Sequence, residues 1–474
     1  MFAASDPNYG LELRGTDRTP GEVVLLADAN PGTASSSPRL LGELDGALFY
    51  SSGPVEVPTL WRTDGTPEGT RQVRDDRGAA LIVGWYAHEP SLVRWRDLLA
   101  VEGVDATAFA EAVWTVDAEG RATRLHGEPI FDYPVHLFGL AATRDRIFFQ
   151  TEDAETHELA VWTSDGSAAG TRSLFEGRQG RTAAGASGEH YFFTAAGAGG
   201  SDVLYATDGR GSGAVALAEF GPYPEVGPTW FAAGPTRVYF LAGNAADDRT
   251  LWVSDGTPSG TNPVPEPSGG LRVSVYDLPG AEWLDEAFLF GAANESGPGL
   301  WVARGDGHAP ERLDLGSDAQ TYGAPMVEID GRLLFGAVSG VGGDPALELW
   351  STDGTQGGTR RVSRLCPPAC DDAGFENVLR AGGIALFQVG YDWSMFGSEW
   401  LTFASDGTEA GTRLLDDSDT GPVTVVALSD AWAARVDGGF LLAAWDEQRG
   451  GVEPWHLALG DGAERKVANL QPER

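Results

Sequence analysis

The chain restates one phrase about ten times: an aromatic residue, two further residues, then Asp-Gly-Thr and, a few positions on, Gly-Thr. Full copies run from Leu60 to Thr70, Leu251 to Thr261 and Glu348 to Thr359. Val161 to Thr171 and Phe403 to Thr412 follow closely, and Tyr205 to Gly209 is a degenerate form. Aligned on the aromatic, the copies stand at Trp61, Trp114, Trp162, Tyr205, Trp252, Trp301, Trp350, Phe403 and Trp455, and Arg14 holds that place in an initial copy. The intervals are about 47–53 residues, with one shorter step before Tyr205. Such a period declares stacked supersecondary units, and it suits one four-stranded propeller blade better than an ankyrin or leucine-rich unit.

Between the anchors the text also repeats. Apolar runs such as Ala47-Leu48-Phe49-Tyr50, Ile147-Phe148-Phe149 and Leu333-Leu334-Phe335 each follow a turn bearing Gly or Asp. Short β-rich runs divided by Gly, Asp and Pro are the all-β signal, and no window carries a sustained helical period. The phrase itself reads as a hairpin: Gly tolerates positive φ, and the Asp side chain bonds backbone N–H groups just ahead. The second Gly, as in Gly69 or Gly358, reads as another left-handed position, and the Thr hydroxyls as partners for loop backbone. Asp64, Asp165, Asp208, Asp255, Asp353 and Asp406 are therefore assigned as structural turn residues, with ligand binding as the alternative. The anchoring aromatic offers a large apolar face to fill the gap between neighbouring blades.

The expected architecture is an all-β propeller of four-stranded blades, with nine full repeats and an N-terminal partial blade over residues 1–28. Residues 1–474 are expected to form a single large ring; two propellers of about five blades each are the alternative. Sixty-five glycines and 28 prolines fit a chain that turns every few residues. The formal net charge of −36, with Lys466 as the lone lysine, repels nucleic acid and anionic lipid. It attracts cations or basic partners, or it serves as a solubilising coat. No apolar run reaches transmembrane length and no signal peptide is visible. Phe2-Ala3-Ala4-Ser5-Asp6 resembles the end of a second strand, so the chain is expected to open in mid-blade.

Glu348-Leu349-Trp350-Ser351-Thr352-Asp353-Gly354-Thr355 resembles the bacterial ELWxxDGT repeat at every defined letter, and the resemblance extends over nearly the whole chain. Arg14 in place of the aromatic, Arg304-Gly305 after Trp301, and Ala458-Leu459-Gly460 after Trp455 depart from it. The resemblance implies a secreted or cell-surface repeat protein, and it brings no catalytic residue with it. The loop also looks like the Asp-box turns of sialidase-type propellers, which are structural and import no glycosidase chemistry.

Chemistry is sought where the repeat is broken. The seven histidines are scattered, and no nucleophile elbow or phosphate-binding loop is present. His157-Glu158 beside Asp153 and Glu155 is a weak chelating group or a solvated loop. Asp417 and Asp419, alternating in Asp416-Asp417-Ser418-Asp419-Thr420-Gly421, could bind calcium or form a charged turn. Cys366 and Cys370 read as a small disulfide on a Pro-rich loop, with free thiols or a weak zinc site as alternatives. Trp393, Phe396 and Trp400 form the most loop-like aromatic cluster, a ligand-binding candidate unless it packs between blades. The functional expectation is a monomeric, non-enzymatic, extracytoplasmic binding or display module for protein or glycan, needing no cofactor. A polysaccharide hydrolase or lyase with channel carboxylates, and a structural spacer, are the alternatives.

Overall fold

The computed structural model describes residues 1–16, 23–83, 91–105, 110–129, 135–211, 213–222, 227–243, 249–273, 281–316, 321, 326–339, 346–365, 374–381, 383–391, 399–414, 416–417, 421–422, 424–425, 433–436, 439–446, 451–458 and 464–466. It is all-β. Among the described residues the helix is a short 3-10 turn at Ala198–Gly200, and no helix is long and apolar enough to cross a membrane. The strands pair antiparallel in sequence order, as short connections dictate. Sheet 6 shows the unit: Glu282–Leu284, Ala287–Asn294, Gly297–Ala303 and Glu311–Leu313 form a four-stranded meander. Sheets 5, 7 and 8, beginning at Thr229, Met326 and Gly374, have the same order.

Two variations join neighbours. Sheet 1 (Arg39–Leu44, Ala47–Ser52, Thr59–Thr63, Arg71–Gln72) and sheet 2 (Leu92–Trp95, Leu98–Asp105, Ala110–Asp117, Ala122–Pro129) are bridged by Leu81–Ile82, which pairs with both. Sheet 3 (Val135–Ala142, Ile147–Asp153, Glu158–Ser164) and sheet 4 (His190–Ala196, Ser201–Thr207, Val215–Pro222) share the long strand Arg172–Ser187, the last of one and the first of the other. At the N-terminus Phe2–Asp6, Gly10–Thr16 and Val23–Leu25 make a three-stranded sheet.

By contacts the chain divides into two compact units. One comprises Pro7–Glu12 and Leu25–Pro263, the other Met1–Asp6, Leu13–Val24 and Val264–Arg474. Inside each, consecutive sheets bury both faces. In the first unit, Phe149 packs with Val113 and Leu137, while its neighbour Phe148 points the other way onto Tyr191 and Phe193. In the same manner Phe193 joins the cluster before sheet 4 and Phe192 the cluster after it, with Phe240. In the second unit Phe335 packs with Leu300 and Trp350, and Leu334 with Leu349 and Phe387. Successive residues of a strand face opposite sides, so a continuous apolar run is what a strand between two sheets requires. Each such Phe, fully buried, contributes about 2–3 kcal/mol. The anchoring aromatics share in this: Trp114 and Trp301 are almost wholly buried.

Candidate functional site

The Asp-Gly-Thr loop has the same geometry in five copies. In one, Asp353 Oδ1 accepts from the Thr355 amide at 3.0 Å and the Thr355 hydroxyl at 2.7 Å. The Gly358 amide donates to Thr355 Oγ1, and the Thr359 hydroxyl donates to the Thr355 carbonyl. Thr352 Oγ1 meets Thr359 Oγ1 at 2.7 Å and accepts from the Gly354 amide. Asp64, Asp165, Asp255 and Asp406 repeat the pattern with Thr66, Ser167, Thr257 and Thr408. Asp208 keeps a reduced form, accepting from the amides of Arg210 and Gly211. The hydroxyl and amide of Thr355 hold the Asp353 carboxyl below the usual aspartate range. These carboxylates are occupied with their own loops.

One part of the expectation fails. Gly65, Gly166, Gly256, Gly354 and Gly407 do have positive φ, but the second glycines, Gly69, Gly170, Gly260, Gly358 and Gly411, do not. They are needed for space, because a Cβ on Gly69 would lie 1.9 Å from Asp64 Oδ1. The loops also lock successive sheets. A Cβ on Gly166 would lie 2.7 Å from the Trp95 ring of the preceding sheet. Arg304 donates to the Gly354 carbonyl, Arg172 to that of Gly209, and Arg62 to that of Ala118, each reaching the turn of the following sheet. Asp353 borders an open cleft of about 480 Å³ with Asp285, Glu286 and Arg304. Two of its lining groups, Asp353 and Arg304, are already engaged within and between loops.

Several other candidates lie outside the described residues: Trp393, Phe396, Asp419, Cys366 and Cys370. Trp400 belongs to the strand Glu399–Ser405, and Asp417 to a two-residue strand paired with Gly421–Pro422. His157 pairs through Nδ1 with Glu152 at 2.8 Å, while Asp153 caps the amides of Glu155 and Thr156. That makes a turn. Among the described residues no three His, Cys, Asp or Glu side chains gather around a metal position.

A different constellation, absent from the sequence reading, lies between sheets 2 and 3. Glu102 is opposite Val113 and Glu111 opposite Val104, so the two carboxylates share one face as diagonal neighbours. Ser91, Glu111 and His136 stand at or beside strand starts and Glu102 nears a strand end, and antiparallel pairing therefore puts all four at one end of the sheets. Burial pushes the Glu102 carboxyl up to about 7, against a hydrogen bond with Ser91, and the nearby Glu111 charge adds to the rise. Glu111 accepts from the Leu137 amide and has His136 Nδ1 at 3.7 Å. Behind this pair Gln150 donates to the Tyr191 hydroxyl at 2.8 Å, which donates to the Gly139 carbonyl. Glu102 can therefore hold or release a proton near neutrality beside a second carboxylate.

No family model matches the chain, and no curated protein matches it. Solved structures do. A prolyl endopeptidase structure is 12% identical with a TM-score of 0.37, covering 78% of this chain and 54% of its own. A puromycin hydrolase mutant complexed with PGG is 13% identical at 0.36, covering 76% of this chain and 59% of its own. The β-propeller domain of a trilobed protease from Pyrococcus furiosus is 10% identical at 0.31, covering 72% and 99%. The chain thus spans little more than half the length of the endopeptidase and the hydrolase. The sequence reading expected a non-enzymatic binding or display module; the solved structures that match are hydrolases or part of one. Residues shared by every repeat describe the scaffold, and reading them alone left Glu102 and Glu111 out of account.

Proposed function

We propose that the sheets are blades of a β-propeller of the ELWxxDGT-repeat type, nine complete and one partial, and that the chain works as a hydrolase through Glu102 and Glu111. The observation that carries this reading is the Glu102 carboxyl, held near 7 by burial with a second carboxylate diagonal to it on the same face. In the protonated form Glu102 gives its proton to the leaving group as the scissile bond breaks. Glu111 takes a proton from the attacking water as the new bond to oxygen forms. Such an acid–base pair contributes about 10²–10⁴-fold to a rate.

The test is hydrolysis of a panel of chromogenic peptide amides, esters and glycosides by the full chain, beside Glu102→Gln and Glu111→Gln. One class is expected to turn over, with kcat lowered at least 100-fold in each variant and KM little changed. The pH profile of kcat/KM should fall above about 7, where Glu102 loses its proton. Failure of every substrate class, or turnover indifferent to both substitutions, removes the reading.

A further inference from the structure

A second polar group lies in the unit formed by Pro7–Glu12 and Leu25–Pro263, apart from the carboxylate pair and around the first letter of the initial repeat copy, Glu12. Glu12 is wholly buried. Its Oε2 accepts from the Ser36 hydroxyl at 2.6 Å and the Ala29 amide at 3.1 Å, and its Oε1 from the Asn30 amide at 3.3 Å. A carboxylate offers about four lone-pair positions, so one remains. The Ser52 hydroxyl donates to Ser36 Oγ at 2.9 Å. Two further buried oxygens have no hydrogen-bond partner: the hydroxyl of Tyr50, which is 2% exposed, and Asp28 Oδ1. Asp28 is tethered through its other oxygen to the Gly32 amide at 3.3 Å.

These oxygens converge. Tyr50 and Ser52 are two residues apart in the strand Ala47–Ser52 and so share a face, the one on which Ser52 meets Ser36 and, through it, Glu12. The Glu12 charge is felt by Tyr50, and the Asp28 charge by Glu12. Buried oxygens without a donor are costly to leave unsatisfied. A wholly buried carboxylate, Glu12, with the half-buried Asp28 carboxylate near it adds to that cost unless a positive charge joins them.

We infer that Glu12, Asp28, Ser36, Ser52 and Tyr50 form a site for a hard divalent cation of calcium's size. The donor set is all oxygen, without the imidazole or thiolate that zinc favours. It is drawn from an irregular segment, Asp28 to Ser36, and two strands. Calcium accepts six to eight oxygens in flexible geometry, whereas magnesium demands a near-ideal octahedron. The amides of Ala29 and Asn30 fix Glu12 in place, and the ion fastens the Asp28–Ser36 segment to the first complete sheet.

The experiment uses the full chain stripped with a chelator and titrated with calcium, followed by calorimetry and by thermal melting. Terbium luminescence is a parallel readout, because Tyr50 and the Trp61 ring stacked on it at 6.3 Å would sensitise an ion held there. The wild type should bind one calcium with a rise in Tm, and calcium should displace the terbium signal. Asp28→Asn should weaken binding at least tenfold. Tyr50→Phe, which keeps the packing, should weaken it several-fold with an unchanged circular dichroism spectrum. Glu102→Gln should bind as the wild type does. No heat and no Tm change in the wild type would overturn the assignment. Binding unaltered in both Asp28→Asn and Tyr50→Phe, or matched by equal magnesium, would do the same, since the ion would then belong to the acidic coat.

Discussion

The carboxylate of Asp353 fills the space that a Cβ on Gly358 would need, its Oδ1 lying 2.0 Å from that position. The residues are therefore one device, and their substitutions should not add. Gly358→Ala alone forces the Asp353 side chain out of its loop and should cost about 2 kcal/mol. Asp353→Ala removes the acceptor for Thr355 and should cost about 1 kcal/mol. In the double variant the added methyl enters vacated space, so the total should fall at least about 1 kcal/mol short of the sum. Urea denaturation of the four proteins measures the coupling, and strict additivity would refute it.

Contact between successive sheets gives a second contrast. Gly166 and Gly46 have φ of +87° and +81°, so alanine at either position meets the same backbone strain, about 1 kcal/mol. A Cβ added to Gly46 would meet nothing within 4 Å, whereas at Gly166 the Trp95 ring lies 2.7 Å away. Gly166→Ala should therefore be worse than Gly46→Ala by about 1–2 kcal/mol. Trp95→Leu should recover part of that excess. Equal losses at the two glycines would show that the loop does not seal against the preceding sheet.

The repeated phrase made the strands, the turn Asp residues and the apolar second strands legible, because each is dictated locally by hydrogen bonding and burial. The role of Gly358 was not, since sequence shows that a glycine is needed but not whether φ or a neighbouring side chain requires it. Glu102 stayed hidden for a related reason. The residue after the anchor's cross-strand partner is Ser51, Glu102, Gln150 and Thr194 in the first four sheets, a polar column where apolar burial is the rule. Aligning second strands would have exposed that column. Pairing Glu102 with Glu111, however, needs the register between strands, which no repeat encodes. Glu12 and Tyr50 sit some forty residues apart, and only the folded path from Asp28 to Ser36 brings their oxygens together.

The first letter of the repeat has a role separate from the turn. Glu348 is almost fully buried; it accepts from the Trp350 indole at 3.2 Å and from Arg361 at 2.8 Å. Where threonine stands at the same distance before the anchor, Thr59 and Thr250 accept from Trp61 and Trp252 at 3.0 Å. Glu348→Ala should then cost about 2 kcal/mol, the indole N–H losing its partner while Arg361 turns to water. Glu348→Thr should restore about half of it. Thermal denaturation decides, and a threonine variant no better than alanine would show that the indole is not what the position serves.

Glu102 gives the chain a pH dependence of defined sign. Its carboxyl stands at about 7 in the folded protein against an ordinary value of 4.5, so between those values the folded state binds the extra proton. Stability contributed by the raised value is present in full below about 4.5, declines as pH rises, and is lost above about 7. The difference across that window is about 3 kcal/mol, taking 1.36 kcal/mol per unit. Glu102→Gln carries no titrating proton and should flatten the window, making the variant more stable than the wild type at pH 8 and no more stable at pH 4. Urea midpoints at pH 4, 6 and 8 measure it. A glutamine variant that kept the wild-type slope would place the titrating group elsewhere and leave Glu102 without the poised proton that its proposed chemistry requires.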